Sequence, residues 1–449
     1  MFKIIFLVSL VFVPTLGLQA QVKAYFNQNQ STRYVEPYRN ITRSGDDLEK
    51  VVVDNILLAK KSVLLAVQEL RLPRVAQALI AMKKAGVDVR VILEHDYNFA
   101  VMDQQDTNGE GEYEASKLNE LRAFVDVNRN GRMEAAELEA RDAIYMLRQA
   151  QIPLIDDTFD KSMGAGLMHH KFVVIDGKVT IISSANLTMS CVHGDTLAAN
   201  SRGNANSMIV VQSVEMAKIF SDEFSQMWGN GKRGNFGQNK AYRGQQKVSV
   251  RGTQITVQFS PTSRRYTWKE TTNGLIASAI KNSRESIKAA LFVFSDQLIA
   301  DAMEERHEHG VSVGVMVEAK FVYRDYSEVL DLLGVQMLNS KCAYEPDNNP
   351  WRKPVTEAGV PRLASGDVLH HKFAVVDNKS VIVGSQNWSD SANYTNDETL
   401  LVIESSAISE QYTQEYNRLR SNSTMGLTSS LQSEIAKKEA SCAAQGVSF

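Results

Sequence analysis

The chain carries one chemical phrase twice, and that duplication restricts it to folds built from two equivalent halves. His169-His170-Lys171-Phe172-Val173-Val174-Ile175-Asp176 runs on to Asn186, and His370-His371-Lys372-Phe373-Ala374-Val375-Val376-Asp377 runs on to Asn387. The surroundings repeat as well. Val22 to Phe26 matches Ile255 to Phe259, both with the alternation of a strand. Helix, strand, helix and strand then follow at 48–61, 63–70, 73–86 and 87–93, and again at 274–284, 287–294, 297–310 and 311–317. Gly86 and Gly310 each stand between a helix and a strand, where a glycine closes the helix. Strands alternating with helices predict an α/β fold with parallel strand pairs, here two α/β sandwich domains related by a pseudo-twofold. With 449 residues, 43% of them hydrophobic, each half can bury a real core.

The two halves differ by an insertion. Gly86 and Gly310 lie 224 residues apart but His169 and His370 only 201, so the first half carries 23 extra residues ahead of its phrase. Within 103–150 runs Asp126-Val127-Asn128-Arg129-Asn130-Gly131-Arg132-Met133-Glu134-Ala135-Ala136-Glu137. Oxygen-bearing side chains fall at positions 1, 3, 5 and 9, glycine at 6, an apolar residue at 8 and glutamate at 12. This is the pattern of an EF-hand calcium loop, with Asp126, Asn128, Asn130, the carbonyl of Arg132, Glu134 and Glu137 as the ligand set. Helical spacing on both sides, at 113–125 and 135–149, supports a small helical insertion. The alternative is a capped helical hairpin in which the same side chains only make turns.

Residues 1–20 combine Lys3, an apolar run from Ile4 to Val13 too short to span a bilayer, and a small residue at Ala20, as a cleavable secretory signal does. The expectation is a secreted or periplasmic protein. Domain limits follow as 21–228, a linker at 229–251, 252–420 and a tail at 421–449. The linker holds Lys232, Arg233, Lys240, Arg243 and Lys247 with no acidic residue, and reads as a solvated connection. Cys191, Cys342 and Cys442 allow at most one intramolecular disulfide, and the sequence does not choose the pair.

Residues two apart on a strand share a face, so His169 points with Lys171 and His370 with Lys372. His170 and His371 point the other way and read as packed, structural residues. A return strand after each Asp brings Asn186 and Asn387 to the same end. Facing halves thus supply two imidazoles, two ammonium groups and two amides to one pocket. Lys171, Lys372, Asn186 and Asn387 suit the non-bridging oxygens of a phosphodiester. One imidazole can then attack phosphorus while the other protonates the leaving alkoxide and later activates water, with no catalytic metal required.

These residues resemble the phospholipase D superfamily, whose HKD motif is His-x-Lys-x4-Asp followed by Gly-Ser-x-Asn. The second copy fits throughout, with His370, Lys372, Asp377, Gly384, Ser385 and Asn387. The first has His169, Lys171, Asp176, Ser184 and Asn186, but Ser183 where the family has glycine. The glutamate that often follows the motif is Glu398 in the second half, whereas the first half has Asn206, so this supporting role is asymmetric. The resemblance implies His169 as nucleophile and His370 as general acid. It implies Asp176 and Asp377 as residues that orient the site or make turns, Ser184 and Ser385 as hydrogen-bond partners of the phosphate or of catalytic side chains, and Asn186, Asn387 and Glu398 on the substrate side.

The function expected is that of a secreted phosphodiesterase of phospholipase D type, which hydrolyses or transphosphatidylates phospholipids through a phosphohistidine. Phospholipid or a membrane surface is its partner, and one chain holding both halves suits a monomer. Glu94 and Glu318, at equivalent strand ends, are candidates for the pocket rim or for surface salt bridges. A secreted endonuclease is the alternative; it needs a basic groove built locally, because the formal charge of −3 provides no global basic field. A cardiolipin-synthase-like transferase and a non-catalytic calcium-binding protein are further readings, and the second predicts a damaged phrase where both are intact.

Overall fold

The computed structural model describes residues 21–103, 111–160, 164 and 166–446. The expected signal segment at 1–20 and residues 104–110 of the insertion lie outside the described residues. The first half builds β1 (Val22–Phe26), β2 (Ser62–Val67), β3 (Asp88–Leu93), β4 (Leu154–Asp156), β5 (Lys171–Ile175), β6 (Val179–Ser183) and β7 (Ser207–Gln212), ordered β1-β7-β6-β5-β2-β3-β4. β2, β3 and β4 run parallel, and the remaining neighbours pair antiparallel. The second half repeats this and extends it. Its strands are β8 (Gln246–Val250), β9 (Thr253–Phe259), β10 (Ser286–Leu291), β11 (Ser312–Val317), β12 (Ala358–Pro361), β13 (Lys372–Val376), β14 (Ser380–Gly384), β15 (Thr399–Glu404) and β16 (Ser423–Met425). They are ordered β8-β9-β15-β14-β13-β10-β11-β12-β16. The duplicated α/β halves expected from the sequence are present, as mixed sheets.

The principal helices are α1 (Leu48–Leu57), α2 (Pro73–Lys84), α3 (Gly111–Val125), α4 (Ala135–Arg141), α5 (Ala143–Gln149), α6 (Val214–Trp228), α7 (Thr272–Lys281), α8 (Gln297–Glu308), α9 (Ser406–Arg420) and α10 (Ser429–Ala444). They form layers with the sheets. Strand β5 explains how: Val173 and Ile175 enter an outer core with α1 and α2, while Phe172 and Val174 enter a central core. That central core also takes Phe220 and Phe224 from α6, Phe373 and Val375 from β13, and Tyr412 and Tyr416 from α9. Helices α7 and α8 cover the far face of the second sheet. The two halves therefore share one apolar interior, in which truncating a ring such as Phe172 costs about 3–5 kcal/mol. Because β5 and β13 are buried on both faces, their sequences are nearly continuous apolar runs.

Three expectations change here. The connection 229–251 is not a solvated linker: it ends in β8, which pairs with β9, and Lys240 is buried between the halves. The tail also joins the fold, since β16 pairs with β12 and Cys442 of α10 is bonded to Cys342. Closing a loop of that length restricts the unfolded chain by about 4–5 kcal/mol in the chain-entropy treatment. In the insertion, the helix expected over 135–149 is broken in two because Asp142 accepts from the amides of Ile144 and Tyr145 and caps α5.

Candidate active site

The histidines are delivered by main-chain pairing across the halves. His169 N donates to Asp397 O at 3.0 Å and Asp397 N to Leu167 O at 2.8 Å; His370 N donates to Ala205 O at 3.0 Å and Ala205 N to Val368 O at 2.9 Å. Each phrase thus lies beside the segment of the other half that carries the next polar residue, Glu398 or Asn206. The imidazole contacts follow from this crossing. His169 Nδ1 lies 2.7 Å from Glu398 Oε2, and His370 Nδ1 lies 2.9 Å from Asn206 Oδ1. All four side chains are almost wholly buried.

The lysines stand beside them. Lys171 Nζ donates to His169 O at 2.7 Å and to Gln68 Oε1 at 3.1 Å. Lys372 Nζ donates to His370 O at 3.0 Å and lies 4.6 Å from the ring centroid of Phe292. Burial, with both lysines adding to it, holds each imidazole well below its usual range. Burial also pulls Lys171 down to about 8, and burial together with Lys171 takes Lys372 well below the usual range. Glu398 is pushed up to about 7 by burial, in spite of Lys171. The result is a desolvated seat of positive potential, suited to an anion that enters between the halves.

The other expected residues divide. Asn186 donates to Gln68 at 3.2 Å, and the Oδ1 atoms of Asn186 and Asn387 are buried with no hydrogen-bond partner, so both amides keep capacity for a substrate. Ser184, Ser385 and Glu398 are engaged around the two imidazoles. Ser184 Oγ donates to Asn206 Oδ1 at 2.8 Å and Ser385 Oγ to Glu398 Oε2 at 2.6 Å, so each hydroxyl orients the acceptor of a motif imidazole. Asp176 and Asp377 leave the catalytic set altogether. They lie seven residues beyond His169 and His370, on the order of 20 Å along an extended strand. Asp176 accepts from the amides of Lys60, Lys61 and Ser62, and Asp377 from those of Arg284, Glu285 and Ser286. Both have positive φ, so they are turn residues that pin the far end of each strand.

His170 and His371 are structural, as their strand face implies: His170 meets Thr399 and Glu223, and His371 meets Glu415. Glu223 also binds Lys240 and Arg243, and Lys240 reaches Asp397 at 2.7 Å. Two of the linker's bases are thus spent within the fold. Gly384 is required where it stands, since a Cβ there would sit 2.1 Å from Thr399 O; in the first half Ser183 fits and donates to Ser207 O at 3.1 Å. Trp388 is a core residue against Phe294.

Glu94 and Glu318 are buried, not surface salt bridges. Glu318 Oε2 accepts from Leu369 N at 2.7 Å and so holds the approach to His370. Glu94, beside His95 and Asp157, is pushed up to about 8 by burial and then by Asp157 and Asp96. Gln68 and Phe292 were missed. They are equivalent positions, each following the residue paired with the motif lysine, and comparing the repeats strand by strand would have found them.

In the insertion, Asp126 accepts from the amides of Asn130 and Gly131, Glu137 from those of Asn128 and Glu134, and Glu134 from the side chains of Asn128 and Asn130. The expected ligand side chains therefore crowd around one loop between α3 and α4, and Arg132 donates its amide to Asn130.

A family model described as "Cardiolipin synthase, PLD-like domain" matches residues 52–228 and 276–420. The chain belongs to this phospholipase D-like family. Among curated proteins it is similar to the mitochondrial cardiolipin hydrolase of Xenopus tropicalis, 30% identical over 139 residues, which are 30% of this chain and 55% of that one. It is also similar to the phospholipase D of Rickettsia bellii, 26% identical over 141 residues, covering 31% and 60% of the two chains. The chain spans little more than half the length of these relatives. Among solved structures, the phosphatidylserine synthase of Haemophilus influenzae Rd KW20 superposes with a TM-score of 0.56 over 94% of each chain at 12% identity, a likeness of fold. Phospholipase D-like members act on phosphodiester bonds.

Proposed function

We propose that the protein is an exported phospholipase D-type enzyme that hydrolyses phospholipids, or transfers their phosphatidyl group, through a covalent phosphohistidine and without a catalytic metal. The observation that carries this reading is the crossed pairing of His169 with Glu398 and His370 with Asn206 beside two buried lysines. Lys171 and Lys372 neutralise the phosphate oxygens while the amides of Asn186 and Asn387 bind the rest of the group. His169 Nε2 attacks phosphorus and the bond to the alcohol oxygen breaks, while His370, which enters the step as an imidazolium after taking a proton from water on binding the phosphate anion, gives that oxygen its Nε2 proton. Water or a second alcohol then attacks phosphorus, His370 takes its proton, and the electron pair of the phosphorus–nitrogen bond returns to His169.

A lipid substrate is favoured by the relatives named cardiolipin hydrolase and phospholipase D and by the engagement of Lys240 and Arg243 in internal ion pairs, which removes them from any nucleic-acid groove. The disulfide suits an exported protein. A monomer suffices, since both halves of the site are in one chain. We assign calcium to the loop 126–137, as a stabilising ion. The functional test is a product assay on mixed phospholipid vesicles, beside DNA and RNA, with His169→Ala as control. Phosphatidic acid or a new phosphatidyl ester that depends on His169 supports the reading; nucleic-acid fragments without lipid products overturn it in favour of an endonuclease.

A further inference from the structure

The repeat makes the two imidazoles equivalent in backbone, yet their acceptors differ in charge. Glu398 presents a carboxylate to His169, and Asn206 presents a neutral amide to His370. The orientation of that amide is locked. Its Nδ2 donates to Cys191 O at 3.0 Å and Asn204 O at 3.1 Å, and its Oδ1 also accepts from Ser184 at 2.8 Å. Oδ1 is therefore the atom that faces the ring, and His370 must carry its resting proton on Nδ1. A carboxylate at this position would press an oxygen against two carbonyl oxygens, so the local backbone selects the amide. The charged and titratable groups that act on His370 are Lys372, Lys171, His169 and His371, all of which disfavour its imidazolium. Phe292 covers another side, its ring centroid 4.9 Å from that of the imidazole.

We propose that Asn206 is a positioning residue that commits His370 to proton transfer at the leaving group and bars it from acting as the nucleophile. The inference rests on the phosphodiesterase reading above. When His169 Nε2 bonds to phosphorus its ring becomes cationic, and Glu398 stabilises that charge through Nδ1–H. An adduct on His370 would build the same charge against a neutral dipole, beside two lysines. For proton transfer the neutral acceptor is an advantage. The phosphate anion offsets the two lysines when it binds, and His370 then takes a second proton from water on Nε2. That imidazolium, with no carboxylate partner, is the stronger acid, and the neutral ring left behind is free to take a proton from water in the second step.

The test is leaving-group dependence. With a p-nitrophenyl phosphodiester the leaving group departs without a proton; with a phospholipid the alkoxide needs one. Asn206→Ala is expected to lose roughly 10²-fold on phospholipid, a loss that exceeds that on the p-nitrophenyl ester by roughly tenfold. Glu398→Gln is expected to lose equally on both, because it acts on the nucleophile. If Asn206→Ala does not fold, Ser184→Ala, which frees the same amide, is expected to show the same contrast at smaller size. Equal losses on both esters in whichever variant folds would overturn the inference. Histidine-selective 15N NMR of the wild-type chain needs no substrate: His370 is expected to lose its second proton at lower pH than His169, and the reverse order would overturn the proposal. Silence on both esters with the expected titration order would fail the phosphodiesterase reading and leave the division of the two imidazoles standing.

Discussion

His169 and His370 reach the same pocket from equivalent strands, with equivalent lysines two residues on, and their environments still differ. The first meets a carboxylate at 2.7 Å, the second an amide at 2.9 Å. Lys171 is held by the side chain of Gln68, whereas Lys372 lies against the face of Phe292. Scaffold positions that only deliver groups have stayed alike, as the two turn aspartates show. The positions that set charge around the reacting atoms have diverged. A duplicated fold can thus build a directional site, with one side made to hold a cationic adduct and the other to exchange protons.

The sharpest way to break this comparison is to remove each imidazole in turn. His169→Ala is expected to lose on the order of 10⁴-fold or more in kcat on phospholipid and on p-nitrophenyl esters alike. With p-nitrophenol as leaving group His370→Ala should recover much of its loss in the first step, read as a burst of p-nitrophenol, while turnover stays slow because the second step still lacks its base; a burst from His169→Ala instead would reverse the assignment.

Next in size is the carboxylate. Exchanging a charged acceptor for a neutral amide, a difference of about 1–1.5 kcal/mol, makes Glu398→Gln roughly tenfold slower. Burial raises Glu398 to about 7, so below that pH it is protonated and gives His169 no charge. The kcat/KM of the wild-type chain should therefore rise with pH through about 7, and Glu398→Gln should flatten that rise. A pH profile with the same rise in both proteins would remove Glu398 from the account.

The two turn aspartates supply the matched control. Asp176→Ala and Asp377→Ala each release three backbone amides and are expected to lower stability by about 1–2 kcal/mol, while kcat stays within about twofold of the wild type. Denaturant melts and initial rates would show it, and a large fall in kcat with unchanged stability would return these residues to the catalytic set. The smallest effect on chemistry belongs to the insertion, which only the first half has. Calcium at 100 times its dissociation constant would stabilise the fold by about 2.7 kcal/mol. EDTA should lower the melting temperature and spare the rate of the chemical step, and Glu137→Gln should abolish the calcium-dependent shift.

Much of this was legible in the sequence because strand periodicity is local. The alternation that sets His169 with Lys171 and turns His170 away follows from backbone geometry alone, and so does the repeat of strands and helices. Three things were not legible. The crossing that brings Glu398 to His169 depends on pairing between segments more than 200 residues apart, which no local pattern encodes. The last aspartate of each phrase read equally as an orienting residue or a turn, and only its positive φ and three bound amides, which no spacing encodes, decide for the turn. Lys240 looked solvated because its neighbours are polar, whereas Glu223 and Asp397, far away in sequence, bury it.

The most direct test is to trap the intermediate. Rapid quenching of the wild-type chain on a short-chain phospholipid, under conditions that keep a phosphorus–nitrogen bond, followed by peptide mass spectrometry, locates the adduct. The account predicts a phosphatidyl group on His169, accumulating further in His370→Ala with an activated ester. An adduct on His370, or product formation with no adduct on either histidine, would contradict it.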